Sequence, residues 1–270
     1  VSDFDLIALD LDGTLLDSRE QISPRNQRAV ADALLAGVRV VLVTGRGSDT
    51  PMRIARDLGL NVPIICAHGA LTKDFLSGKV LGHIPVPLKY AVPLLEFGER
   101  NRLSAAVYTD EKFYRLRESQ VYMADMTGPG WAEIDHFEDV LASAPTFIRF
   151  LGAEAVAAVR ENFGDMPLAI KHESWGTFEE LAITSREATK QHALADLCRT
   201  YAIPAARVMA VGDSRNDVPM MQWAGLGVAM ANALPEVRDA IATHTATNDD
   251  DGVAEAIERY VLSGDTRKSA

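Results

Sequence analysis

An α/β fold with a doubly wound parallel sheet and an inserted second module is predicted by three observations. Short runs that are apolar at almost every position alternate with segments of helical periodicity, as expected for strands covered on both faces. Polar clusters rich in Asp, Thr and Gly follow several of those runs directly. The alternation breaks off once, in the middle of the chain, and then resumes.

Phe4–Leu9 is the first strand, ending at Asp10. Ser23 and Pro24 supply a capping hydroxyl and a first-turn proline for a helix that stops at Gly37. Val38–Val43 is the second strand, running into Thr44-Gly45-Arg46. Thr50-Pro51 opens a helix stopped by Gly59, and Val62–Cys66 is a third strand. After the break, Thr184-Ser185-Arg186-Glu187 has the spacing of a capping box. The helix it would open carries Ala193, Leu194, Leu197, Cys198 and Tyr201 on one face. Arg207–Val211 and Leu226–Met230 are strands; Val218–Trp223, Pro235–Ala242 and Gly252–Leu262 are helices.

Between these blocks, Leu71–Ile84 reads as a hairpin around Ser77-Gly78, and Pro85 and Pro87 mark a joint. A helix, a strand and a Tyr-rich irregular stretch follow. Then come a strand at Thr146–Leu151, a helix at Ala153–Phe163, and strands at Leu168–Glu173 and Glu180–Ile183. The expected organisation is a discontinuous core of residues 1–84 and 185–270 with an inserted α/β module of residues 85–184.

The chain has 270 residues, 47% hydrophobic and 24% charged, which is globular composition. Its longest tight apolar stretch, Val38–Val43, is strand length and contains Arg39, so no bilayer span is expected. The opening Val-Ser-Asp-Phe-Asp lacks the pattern of a secretory signal. Two cysteines, Cys66 and Cys198, lie within apolar patterns, which suits a reducing, cytoplasmic setting. With 27 Lys and Arg against 38 Asp and Glu, the net charge of −11 argues against a nucleic-acid or anionic-membrane partner. An acidic protein that handles phosphates needs a metal or a few placed cations.

The polar clusters sit where an open parallel sheet binds its ligands, at the carboxyl ends of strands. Asp10 and Asp12 are two apart, which in extended chain directs both carboxylates to one side. They repel unless a cation lies between them or one takes a proton. Asp213 and Asp217 add acid at another strand end, so a hard divalent cation with oxygen ligands, Mg²⁺, is expected. Thr44, Lys190 and Asn216 are donors suited to phosphate oxygens.

Asp10-Leu11-Asp12-Gly13-Thr14-Leu15, Val43-Thr44-Gly45-Arg46, Lys190 and Gly212-Asp213-Ser214-Arg215-Asn216-Asp217 resemble, in order and spacing, the four motifs of the haloacid dehalogenase superfamily. The long insertion, Gly227–Ala233 and Asn248–Ala254 resemble its Cof-type sugar-phosphatase branch, which has an α/β cap on a Rossmann-like core. The resemblance implies Asp10 as the nucleophile that becomes an aspartyl-phosphate and Asp12 as general acid and base. It implies Mg²⁺ on Asp10, the Asp12 carbonyl and Asp213, supported by Asp217. Leu11, Thr44, Gly45, Lys190 and Asn216 would bind phosphate, and Arg46, His68 and Trp175 are candidates for the substrate rim. The implied activity is hydrolysis of small phosphorylated metabolites such as sugar phosphates, with the cap closing over them. A phosphohexomutase sharing the same intermediate, and a non-catalytic phosphate sensor, are the alternatives.

Three positions depart from the commonest pattern: His68 stands for Asn, Gln191 follows Lys190 in place of Gly, and Ala231 replaces Gly. Tyr108 and Tyr114 are candidates for substrate contact, with core packing the better reading. Asn248–Asp251 has helix-start character and lacks the glycine and terminal Glu of an EF-hand loop.

Overall fold

The computed structural model describes residues 2–109, 112–119, 130–175 and 178–263, with side chains at all of these but 173–175. The chain forms two compact units, Val1–Leu81 with Thr189–Ala270, and Gly82–Ala188.

The first unit opens with β1 (Leu6–Leu9), α1 (Pro24–Leu35), β2 (Arg39–Leu42), α2 (Asp49–Asp57), β3 (Ile64–Cys66) and β4 (Leu71–Lys73). Every residue of β1 is buried, so the strand leans on apolar neighbours above and below. Replacing one such Leu or Ile by Ala costs roughly 2–5 kcal/mol, which anchors the strand that presents Asp10. The Ser23 hydroxyl caps α1 by accepting from the Asn26 N–H. Helix α2 begins at Asp49, one residue before the expected Thr50. The hairpin turn is set by the Asp74 carboxylate, which accepts from the backbone N–H groups of Leu76 and Ser77. It leads into β5 (Val80–His83), and β3, β4 and β5 lie side by side in a small sheet.

The second unit continues with α3 (Leu88–Arg100), β6 (Ala105–Tyr108), β7 (Phe113–Leu116), β8 (Trp131–Ile134), β9 (Phe147–Leu151), α4 (Ala153–Phe163), β10 (Leu168–Trp175) and β11 (Phe178–Ser185). Its sheet runs β10-β11-β9-β6-β7-β8. Phe137, Phe150, Leu94, Leu95 and Leu181 are among its core residues. The stretch read as irregular contains β7 and β8, paired in parallel from Phe113–Trp131 to Leu116–Ile134. Phe113 stacks on Trp131 at a centroid distance of 4.5 Å; this cross-strand pairing has no signature in local sequence.

The chain then completes the first unit with α5 (Lys190–Thr200), β12 (Val208–Gly212), α6 (Val218–Trp223), β13 (Leu226–Ala229), α7 (Pro235–Ala240), β14 (Thr243–His244) and α8 (Gly252–Ile257). The expected capping box is absent: Thr184 and Ser185 end β11, and Thr189 caps α5 by accepting from the His192 N–H. A two-residue strand, β14, was not foreseen because it carries no alternation of its own.

The main sheet is β14-β13-β12-β1-β2, parallel throughout. A single parallel bridge, Val43–Ile65, brings β3 to its far edge. From β1 the chain winds outward through β2, then returns beside β1 as β12 and winds outward the other way. The order reverses between β1 and β12, which makes the crevice at their carboxyl ends the natural ligand site. Leu6, Ala8, Val41, Leu194, Leu197, Met220 and Met221 form the core on one face. On the other, α1 lies against α8, and the buried Asn26 amide oxygen accepts from the Ala254 N–H at 2.8 Å.

Candidate active site

Asp10 follows β1 directly, its N–H still donating across the sheet to the Val211 carbonyl at 3.1 Å. The next residues form a tight loop in which the Leu11 carbonyl accepts from the N–H groups of Thr14 and Leu16. Gly13 turns this loop at φ +74°, and a Cβ there would stand 2.5 Å from the Asp213 carboxylate. Only glycine meets both demands. The Thr14 hydroxyl donates to Asp213 Oδ1 at 3.1 Å.

Asp10, Asp213 and Asp217 bring carboxylate oxygens within 4.8 Å of one another. Asp10 is 4% exposed, Asp217 is fully buried, and Lys190 is 2% exposed. Lys190 Nζ donates to Asp10 Oδ1 and to Asp217 Oδ1, each at 2.6 Å. The other Asp217 oxygen accepts from the N–H groups of Asp213 and Ser214. A lysine at a helix start opposes the helix dipole; here two carboxylates offset that cost. Burial opposes the charge on Lys190, but Asp10 and Asp217 together hold its pKa above the usual lysine value. Burial and then the Asp217 charge push Asp10 well above the ordinary carboxylate range, against the pull of Lys190. Burial and Asp217 push Asp213 to about 6, opposed by the Thr14 hydrogen bond. When ionised, the three carboxylates outnumber the single ammonium by two negative charges. That surplus, and a donor set of hard oxygens, fits a divalent cation.

The Asp12 carboxylate is not in this cluster. Arg46 Nε contacts both its oxygens, at 3.1 and 2.9 Å, and Arg46 Nη2 contacts Oδ1 at 2.5 Å. Arg46 also reaches Glu20 at 3.3 Å. The expectation that Asp10 and Asp12 share a cation through side chains on one face is therefore corrected. Strand β1 ends at Leu9, so the two-residue period of extended chain does not carry past Asp10.

Thr44 is fully buried, and its hydroxyl oxygen accepts from the Arg46 N–H at 3.1 Å, leaving its proton to donate. The backbone of this loop is fastened to the segment after β3: the Ala67 N–H donates to the Arg46 carbonyl and the His68 N–H to the Thr44 carbonyl. His68 is 5% exposed, and its Nδ1 lies 3.2 Å from Asn216 Nδ2.

The sequence model of the haloacid dehalogenase-like hydrolase family matches residues 7–257. The chain belongs to this family. As a Cof-type haloacid dehalogenase-like hydrolase, it is similar to Phosphatase YwpJ of Bacillus subtilis, 32% identical over 95% of this chain and 99% of that protein. The 5-amino-6-(5-phospho-D-ribitylamino)uracil phosphatase YitU of the same organism is 28% identical, covering 94% of this chain and 97% of that one. A solved haloacid dehalogenase-like hydrolase from B. subtilis superposes with a TM-score of 0.79 at 28% identity, over 95% of this chain and 99% of the other. The chain is an enzyme of the haloacid dehalogenase phosphatase type.

In this hydrolase three residues outside the expected site set hold the Asp10 loop. The Asn232 amide donates to the Gly13 carbonyl at 2.8 Å and accepts from the Asn248 N–H at 3.0 Å. The Asn248 amide donates to the Leu16 carbonyl at 2.9 Å, and Thr14 steadies Asp213. Asn232 falls in a segment marked only by its resemblance, and Asn248 in one read as a helix start; a polar residue at either place is too common to mark it alone. Tyr108 is 1% exposed and tilts against Phe113 and Phe147, a core role. Tyr114 lies on β7 and is half-buried. The Trp175 side chain lies outside the described ones.

Proposed function

We propose that this phosphatase hydrolyses phosphomonoesters of small metabolites, sugar phosphates among them, through an aspartyl-phosphate on Asp10 with Mg²⁺ as its metal. The observation that carries this is the convergence of Asp10, Asp213, Asp217 and Lys190 at the reversal between β1 and β12. The substrate class is supported by YitU, whose name gives a phosphorylated ribityl chain as its substrate.

Asp10, Asp213 and Asp217, with the Asp12 carbonyl, would hold the ion. When bound, Mg²⁺ neutralises phosphoryl oxygens that would otherwise repel the carboxylates. Lys190 orients Asp10 and offsets its charge as it approaches phosphorus. Asp10 forms the new P–O bond, the ester P–O bond breaks, and the leaving alkoxide takes a proton from Asp12. Water then attacks phosphorus and yields a proton to Asp12, the bond to Asp10 breaks, and orthophosphate leaves. The Thr44 hydroxyl, the Asn216 amide and the N–H groups of Leu11 and Gly45 clamp the phosphoryl oxygens. Asp12 must leave Arg46 to carry a proton, and an anionic or hydroxyl-rich leaving group that competes for Arg46 releases it. The inserted unit, residues 82–188, chooses the leaving group. Monoester hydrolysis asks for up to about 10²¹-fold acceleration, or some 29 kcal/mol, more than any one of these groups supplies. Two buried, free cysteines, and no helix among the described residues long and apolar enough to cross a membrane, support a cytosolic setting.

Incubation with hexose phosphates and Mg²⁺ tests this: orthophosphate accumulates under the proposal, and an isomerised hexose phosphate without orthophosphate contradicts it. The Asp12→Asn variant loses about 10²–10⁴-fold in kcat on a hexose phosphate. It loses less on p-nitrophenyl phosphate, whose phenolate leaves without a proton; equal activity to the parent removes Asp12 from the mechanism.

Metal removal has a pH-dependent effect. The Asp213 pKa in the fold, about 6, exceeds its ordinary value of 3.8. The fold therefore binds this proton more tightly than the unfolded chain, and stability falls as pH rises from about 4 through 6. A cation that displaces the proton stabilises most above that window. Mg²⁺ at 100 times its Kd contributes about 2.7 kcal/mol, an increase in Tm of roughly 5–10 °C at pH 7.5. Thermal melts with and without EDTA measure it, and at pH 5 the difference shrinks.

A further inference from the structure

We propose that His68 is a positioning residue: its Nδ1–H fixes the amide of Asn216 so that the NH₂ end, not the carbonyl, is offered to the phosphoryl group. This rests on the assignment of Asn216 to the phosphate clamp.

Three observations converge on it. First, the His68 ring is wedged in place. Its backbone is left-handed, φ 58° and ψ 25°, following Ala67 at φ 49°. Asn, Asp and His tolerate that region best among residues with a side chain. A Cβ on Gly45 would stand 2.4 Å from His68 Cε1, so the ring fills the space that glycine leaves. Second, the ring meets Asn216 at 3.2 Å through Nδ1. Third, with Nδ2 of Asn216 turned to the ring, the other end of the amide, Oδ1, is buried without a hydrogen-bond partner. A buried acceptor left unsatisfied costs roughly 1–3 kcal/mol, and beside an incoming phosphate it would face another acceptor.

The O and NH₂ ends of an amide have nearly the same shape, so hydrogen bonding decides which way it faces. Rotating the amide by half a turn keeps the 3.2 Å contact, now with His68 Nδ1–H donating to Asn216 Oδ1. The unpartnered group then becomes an N–H donor, which suits an anionic oxygen. The ring decides between the two states: a proton on Nδ1 enforces the phosphate-binding one, and a bare Nδ1 enforces the other. Histidine thereby does what an asparagine at this position can also do by donating from its own amide.

The test combines kinetics with a spectroscopic readout on the intact protein. His68→Ala raises the inhibition constant of inorganic phosphate, and KM for p-nitrophenyl phosphate, about tenfold or more, with kcat lowered less. Asn216→Ala raises both by at least as much, and adding His68→Ala to it changes neither further. His68→Asn restores most of the affinity. In the parent protein, ¹⁵N-histidine NMR, with the His68 resonances assigned by their loss in His68→Asn, shows Nδ1 protonated. An unprotonated Nδ1, or a His68→Ala effect that persists in full on the Asn216→Ala background, overturns the positioning role while leaving the clamp intact. An Asn216→Ala variant that binds phosphate like the parent removes the clamp assignment and the inference with it.

Discussion

Asp10→Asn abolishes turnover while leaving the fold at least as stable as the parent. Removing an enzyme's attacking group costs several powers of ten in kcat, and a fall of about 10⁴ or more, some 5.4 kcal/mol of barrier, is expected here. The stability outcome follows from the same carboxylate. Asp10 is buried beside Asp217 and its pKa in the fold lies well above the ordinary value. Such a group stabilises only below its unfolded pKa, and that contribution is lost as pH rises through the folded one. Once ionised, its charge is a burden that Asn, nearly the same shape, does not carry. Lys190 keeps Asp217 as a partner. Kinetics paired with thermal melts at pH 7.5 should therefore show activity lost and Tm unchanged or raised, the exchange expected of a site built for function rather than stability. A variant that is both inactive and strongly destabilised would make Asp10 a structural residue.

Lys190→Met produces the opposite pairing: activity is lost and so is much of the stability. The Lys190 side chain is 2% exposed, and the side chains of its partners Asp10 and Asp217 are 6% and 0% exposed. Removing it leaves Asp10 and Asp217 facing each other in a dry site, and breaking a buried pair in this way costs about 3–5 kcal/mol, or roughly 6–20 °C in Tm. The loss is larger at pH 8 than at pH 5, because acid lets one orphaned carboxylate take a proton. Lys190→Arg does not rescue, since a planar guanidinium cannot reach two oxygens from the space of an ammonium. Melts of parent and variant at the two pH values decide it; equal losses at both would mean that the carboxylates do not govern the site.

Much of this is legible in the sequence. Asp10 and Asp213 end strands that are apolar on both faces, so the strand runs alone place them at one edge of a parallel sheet. Lys190 stands at a helix start, the wrong end for a cation, and an anion nearby was the physical expectation. The direction of the Asp12 carboxylate was not legible, since it depends on where β1 ends and on Arg46, 34 residues away in sequence. The parallel pairing of β7 with β8 was invisible because it joins partners 18 residues apart, Phe113 to Trp131, rather than following local alternation. Thr189 escaped notice as the cap of α5 because Thr184-Ser185-Arg186-Glu187 imitates a capping box while its first two residues finish β11. The contact of His68 with Asn216 joins positions 148 apart; sequence could flag the unusual histidine but not its partner.

Rapid acid quench of the enzyme with a ³²P-labelled phosphomonoester and Mg²⁺, followed by peptide mapping, tests the nucleophile directly. Attack by Asp10 predicts acid-stable, hydroxylamine-labile label on the peptide that carries it, formed within one turnover and absent from Asp10→Asn. Orthophosphate released in a first turnover with no protein-bound label at any quench time, or label on another residue, would contradict it.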